Sequence, residues 1–217
     1  MSYGPGGLPY NVVGWFASGV LLKSMAIGAD VIGTDLYDKN PDKRSFLPAG
    51  FPPRPRGERP DIGPHPLPQR QLNQPAPKKI KEMLVREFEK IVRDNQDIID
   101  YRDSVHEGRT KSLFIKKDQP QSAATKMMLG EISHIHGTGD YSVHVVLAPQ
   151  DCKKVIASGW GQRHPLDGVR ASKLVLGWWV PKEYVLVYAP RNEEEVQIVV
   201  QIVKAAVGYM TGRYDVK

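Results

Sequence analysis

The chain has 217 residues, 41% hydrophobic and 25% charged, with a single cysteine and a formal net charge of +6. That length supports a buried core without staples, and one cysteine, Cys152, excludes an internal disulfide and suits a reducing, intracellular compartment. A basic balance can serve nucleic acid, but basic and acidic residues interleave, as across residues 78–93, so no nucleic-acid partner is expected.

Residues 1–9 are rich in Gly and Pro and read as a flexible start. Residues 11–33 are apolar, yet the run from 12 to 22 is only 11 residues, against the roughly 20 that a spanning helix needs. Lys23 interrupts the stretch, and no signal-cleavage pattern follows it. Three readings stay open: a helix that covers the core, a helix lying in a membrane interface, or the end of a spanning anchor.

Residues 38–77 hold eleven of the eighteen prolines, with Arg44, Arg54, Arg56, Arg59 and Arg70 among them. Such a segment can be neither helix nor central strand. Phe46, Leu47, Phe51, Ile62, Leu67 and Leu72 recur through it, which favours an extended arm lying on a domain surface over a free linker.

Residues 77–100 read as a helix, with Ile80, Leu84, Phe88, Ile91 and Val92 on one face. Residues 112–115 read as a strand and 123–132 as a helix. Residues 141–147 alternate as a strand, and 149–157 form a short helix that carries a buried Cys152. Residues 174–180 and 184–188 read as two further strands. Asn192 caps a last helix to about residue 210, with Glu193, Glu194 and Glu195 in its first turn. The expectation is an α+β protein: a single mixed sheet packed by helices, over residues 78–217, with an N-terminal apolar helix within 1–37 and the Pro-rich arm at 38–77.

The chain converges on residues 159–168, GWGQRHPLDG, expected as a shaped loop. His134, His136, His144 and His164 lie within about thirty residues of sequence. One reading is a metal site on His134 and His136, completed by His144 or His164 and by Asp140 or Glu131. The other is metal-free acid–base chemistry, in which a neutral imidazole takes a proton and an adjacent guanidinium holds the anion. His164 beside Arg163 suits that pair, with His144 as second base. Trp160, Tyr188 and Trp178 would wall a flat substrate. No Gly-rich nucleotide loop, nucleophile elbow or CxxC pair occurs, so no tightly bound nucleotide or flavin is expected.

HIHGTGDYSVHVVLAPQDCKKVIASGWGQRHPLDG, then YVLVYAPRNEEE and KAAVGYMTG, resemble the fungal luciferase family, and DKNPDKRSFLPAGFPPRPRGERP is similar to that family's N-terminal arm. The resemblance implies a small-molecule oxygenase that oxidises 3-hydroxyhispidin, a styryl α-pyrone, with molecular oxygen as co-substrate, losing carbon dioxide and emitting light. It also implies no cofactor and no metal, and peripheral contact with an internal membrane such as the endoplasmic reticulum through residues 11–33. Consistent with both the residue chemistry and the resemblance, His164, His144 and Arg163 are the expected catalytic residues, and Trp160, Gln162, His134, His136, Tyr188, Arg191 and Trp178 are expected to bind substrate. A homologue that keeps the fold for binding alone is the competing class.

Overall fold

The computed structural model describes residues 8–28, 30–55, 57–108 and 110–217. Most of the expected flexible start, residues 1–7, lies outside them.

Six strands form one sheet: β1 (Ile99–Asp103), β2 (Lys111–Ile115), β3 (Glu131–Ile135), β4 (Val143–Val146), β5 (Gly161–Arg163) and β6 (Tyr184–Val187), in the order β1-β2-β3-β4-β6-β5. The class is α+β. Within it, the sheet expected as mixed is antiparallel at every neighbouring pair. Period-2 alternation gives the sheet two chemically different faces. One carries Leu113, Val143, Val145, Val185 and Val187, all fully buried. Helix α8 (Glu193–Thr211) covers it through contacts with β2, β3 and β4. The other face carries Ser112, His134, His144, Leu186 and Gln162 in one row across five strands.

Helix α4 (Lys78–Asp94) buries Ile80, Leu84, Phe88 and Ile91 and packs on α8, as its spacing dictates; Val92 is half-buried. The helix stops at Asp94, short of the expected residue 100. Asn95 ends it by turning its amide onto the Ile91 carbonyl (2.8 Å), which frees Ile99–Asp103 to become β1. A second helix, Ala123–Met127 (α5), also ends early. Leu129 (φ 55°) and Gly130 (φ 81°) turn the chain into β3, where a continuing helix was expected. Residues 174–180, expected as a strand, instead hold the short helix α7 (Lys173–Leu176), closed by Gly177 in the left-handed region (φ 76°). The 159–168 stretch is not all loop: it contains β5. There a Cβ on Gly161 would meet the Leu186 carbonyl oxygen at 2.3 Å, so only glycine lets this strand pair so closely.

Asn192 caps α8 as expected, accepting from Glu195 N at 2.9 Å. Helix α6 (Pro149–Ala157) buries Cys152.

The Pro-rich arm is extended and docked. Arg54 N donates to the Ser158 carbonyl (2.8 Å), and Arg59 reaches the carbonyls of Ile156 and Gly161 (2.6 Å each). Asp151, buried on α6, accepts from Ser45 Oγ, Phe46 N and Leu47 N at 2.5, 2.7 and 3.2 Å. Residues 12–25 are helical, with π-type turns over Ala17–Leu22. Gly14, Ser18 and Leu22 form the inner stripe, while Val12, Val13, Phe16, Val20 and Leu21 stay exposed. Among the described residues no helix is long and apolar enough to cross a membrane.

Candidate functional site

On the polar face, β3 and β4 bring three imidazoles together. His134 stands directly across from His144. His136, two residues beyond His134, falls on the same side. Nitrogen atoms of all three lie within 4.8 Å of one another. His144 Nδ1 is 3.1 Å from His136 Nε2 and 3.4 Å from His134 Nε2.

Each ring is held from behind. His134 Nδ1 donates to Glu131 Oε1 at 2.6 Å, and Glu131 also accepts from Ser104 Oγ and Val105 N. His136 Nδ1 bonds Ser142 Oγ (2.9 Å), whose own proton goes to Asp140 Oδ1 (2.5 Å). His144 Nε2 donates to Gln69 Oε1 of the arm at 3.0 Å. Burial pushes the Glu131 carboxyl up, but the His134 hydrogen bond and charge, with His106 and Ser104, outweigh it and hold it at about 2. Burial, with Arg70 and the neighbouring imidazoles, drives His136 and His144 well below the usual histidine range, so both stay neutral at physiological pH.

A small hollow opens beside them, lined by Leu67–Arg70, His106, Glu107, the three histidines, Trp178 and Tyr184. Its free volume is about 10 Å³, room for one water-sized body and not for an aromatic ligand. Trp178 packs over His106 with ring centroids 4.4 Å apart. His106 Nε2 donates to the Met128 carbonyl (3.2 Å), and His106 Nδ1 is a buried acceptor without a partner among the described residues. Glu107 is bound by Arg70 Nη2 and turns its other oxygen to 4.0 Å from His136 Nε2. A larger open groove, about 400 Å³, runs past Met127, Arg170, Trp179 and Lys182, and it carries no histidine.

The structure therefore gathers His134, His136, His144 and Trp178, with His164 close by: its ring lies 5.6 Å from His144 and 5.8 Å from Tyr184. His164 Nδ1 accepts from Leu166 N, and burial, with His106 nearby, pulls this imidazole down to about 3. The other expected residues stand elsewhere. Arg163 is engaged by Asp167 (2.7 and 2.8 Å) and Asp30 (2.6 Å), on the far side of the sheet. Trp160 is a core residue whose Nε1 donates to the Pro52 carbonyl (2.8 Å). Gln162 pairs with Tyr188 Oη (3.1 Å), under the guanidinium of Arg54, one strand removed from the histidines. Arg191 binds Glu195 at the start of α8.

Sequence reasoning missed Gln69, Arg70, His106, Glu107 and Tyr184. Tyr184 shares the polar face with Leu186 and was legible from alternation. The arm and the 104–107 turn carry no local signal that they reach the same spot.

A buried imidazole cluster on one face of an antiparallel sheet, closed by a strap, defines a candidate enzyme site. The Luciferase domain model matches residues 129–206, which hold β3 to β6 and most of α8. The chain is 35% identical to a luciferase of Armillaria gallica over 221 residues, covering 97% of this chain and 79% of that protein. It is 34% identical to the luciferase of Armillaria mellea and 33% identical to that of Neonothopanus nambi, again over 97% of this chain and 79% and 78% of theirs. No solved structure matches. This chain belongs to the fungal luciferase family.

Proposed function

We propose that this protein is an oxygenase of the fungal luciferase type, acting on an electron-rich enol of the hydroxy-α-pyrone class such as 3-hydroxyhispidin. Kinship across almost the whole chain, joined to the imidazole-lined hollow, supports this reading. His106 Nδ1 is the group placed to take the enol proton, since it is a buried, unpartnered acceptor at the hollow. His144, expected as a base, turns Nε2 to Gln69 and Nδ1 onto the neighbouring imidazoles of His134 and His136. Arg70, held by Glu107, is the guanidinium that lines the same hollow. Dioxygen bonds to the ionised ring carbon as a peroxide whose outer oxygen closes on the lactone carbonyl. The O–O bond and the ring C–C bond then break. One oxygen atom stays on the ring carbon as part of a carboxyl group, the lactone carbonyl carbon leaves as carbon dioxide, and the enolate so freed takes a proton back from His106. A pyrone needs a pocket on the order of 300 Å³ or more, so its binding requires the cover of Trp178 and residues 67–70 to open. The exposed apolar side of residues 12–21 supports peripheral contact with an internal membrane.

Mixing the protein with 3-hydroxyhispidin in air, while recording light and oxygen uptake, tests the reading. Oxygen consumed in step with substrate supports it, with or without light. Tight binding of the pyrone without oxygen uptake would instead mark a homologue that only binds.

A further inference from the structure

A proton count around the three histidines leads further. A neutral imidazole has one N–H and one lone pair. His134 spends its proton at Nδ1 on Glu131. Ser142 Oγ gives its proton to Asp140, so it can only accept from His136, which places that proton at Nδ1. His144 donates from Nε2 to Gln69. With the outward nitrogens committed to Glu131, Ser142 and Gln69, the inward atoms His134 Nε2, His136 Nε2 and His144 Nδ1 face one another, His144 Nδ1 lying 3.1 and 3.4 Å from the Nε2 atoms of His136 and His134. Three buried acceptors in mutual contact repel unless a positive charge sits at their centre.

The spacing suits a metal ion. Imidazole nitrogens about 2.0–2.1 Å from one ion lie roughly 2.9–3.4 Å apart for angles between about 90° and 110°. The outward bonds match the usual second layer of such a centre: a carboxylate, a hydroxyl backed by a carboxylate, and an amide carbonyl, each fixing a tautomer. The charge points the same way. Glu131 backs His134, and Asp140 backs His136 through Ser142. Glu107 lies between His136 and Arg70, the one guanidinium lining the hollow, so a divalent cation balances these groups when all are ionised. The hollow beside the rings has about the volume of one small ion or water.

We propose that His134, His136 and His144 bind one divalent first-row transition-metal ion, with the Glu107 carboxylate as the adjacent fourth ligand. Three neutral imidazoles and a carboxylate suit iron, cobalt, nickel, copper or zinc more than magnesium or calcium. The site takes the place of the expectation that this protein carries no metal. It shares the hollow with the pyrone reading but is argued from the contacts of the three histidines themselves, and its test does not depend on that reading.

Elemental analysis of the full chain, purified without chelator, is expected to find about one transition metal per molecule. After chelator treatment and desalting, titration with Zn²⁺ and Co²⁺ should restore one equivalent. Bound Co²⁺ should give visible absorption bands, and thermal unfolding should move up. His136→Ala should weaken Zn²⁺ binding at least 100-fold while circular dichroism stays native, and Glu107→Gln should weaken it less. If the His136 variant does not fold, the Co²⁺ spectrum of the parent chain decides. A folded parent chain that holds no metal as purified and takes up neither ion at micromolar concentration overturns the proposal, and the central charge is then a proton shared among the rings. Metal binding and pyrone turnover are read separately. A chain that binds metal and leaves 3-hydroxyhispidin untouched keeps the site and sinks the function. One that oxidises the pyrone while refusing metal does the reverse.

Discussion

Arg163 and His164 are consecutive in the chain and face opposite sides of the sheet. Arg163 pairs with Val185 on the apolar face and closes on Asp167 and Asp30. His164 turns to His144 and Tyr184. Arg163 is the last residue of β5 and His164 follows it on the opposite side, so the structure does not bring the two side chains together as a base and its anion clamp would require. Arg163→Ala leaves Asp167, 2% exposed, as a buried charge without its partner. It should lower unfolding free energy by about 3 kcal/mol and leave turnover per folded molecule within a few-fold of wild type. Urea denaturation and steady-state oxygen uptake, run side by side, check this; a selective loss of turnover would return Arg163 to the chemistry.

His106 should matter more than His144 as a base. His106→Gln is expected to cut kcat for 3-hydroxyhispidin by about 100-fold or more, with the unfolding temperature nearly unchanged. The pH profile of kcat/KM should lose its acidic limb. A variant with an unaltered profile would exclude the ring from proton transfer.

His164 carries a pH signature. Its folded-state value of about 3 lies below the ordinary 6.5, so the unfolded chain takes up a proton that the native state refuses. Its contribution is whole above pH 6.5 and shrinks as pH falls toward 3. Between pH 8 and pH 5 that loss amounts to about 2 kcal/mol. His164→Gln should flatten the urea-derived stability curve over this window by a comparable amount. Equal slopes in the two proteins would mean that the ring is not held neutral.

Asp151 holds the arm. Its carboxylate is the shared acceptor for Ser45, Phe46 and Leu47. Asp151→Ala should cost about 3 kcal/mol and open residues 42–48 to trypsin, since Lys43 and Arg44 lie there. Limited proteolysis followed by mass mapping reads the outcome; an arm equally protected in the variant would mean that it is held elsewhere.

The exposed side of residues 12–21 gives a membrane test. The chain should float with neutral phosphatidylcholine vesicles in a density gradient, and Val13→Ser with Phe16→Ser should return it to the soluble fraction. Equal flotation of both proteins would assign the binding to another surface.

What residue order alone determined is what depends on neighbours along the chain. Ile80, Leu84, Phe88 and Ile91 at helical spacing made α4, and Asn192 followed by three glutamates started α8. Alternation from Val143 onward made β4, and its long shared motifs carried the family resemblance. The strands at 99–103 and 131–135 were hidden because what ends the preceding helices is a single side-chain hydrogen bond at Asn95 and a left-handed turn at Leu129 and Gly130. The site was only half legible for a deeper reason. His134, His136 and His144 share a face through local period-2 geometry, but Gln69 and Arg70 arrive from the arm, and His106 and Glu107 from a turn about thirty residues upstream. Only the closed sheet with its strap sets those groups against the histidines. Burial there, together with the pairing of each outward nitrogen, decides which atoms are left to face inward.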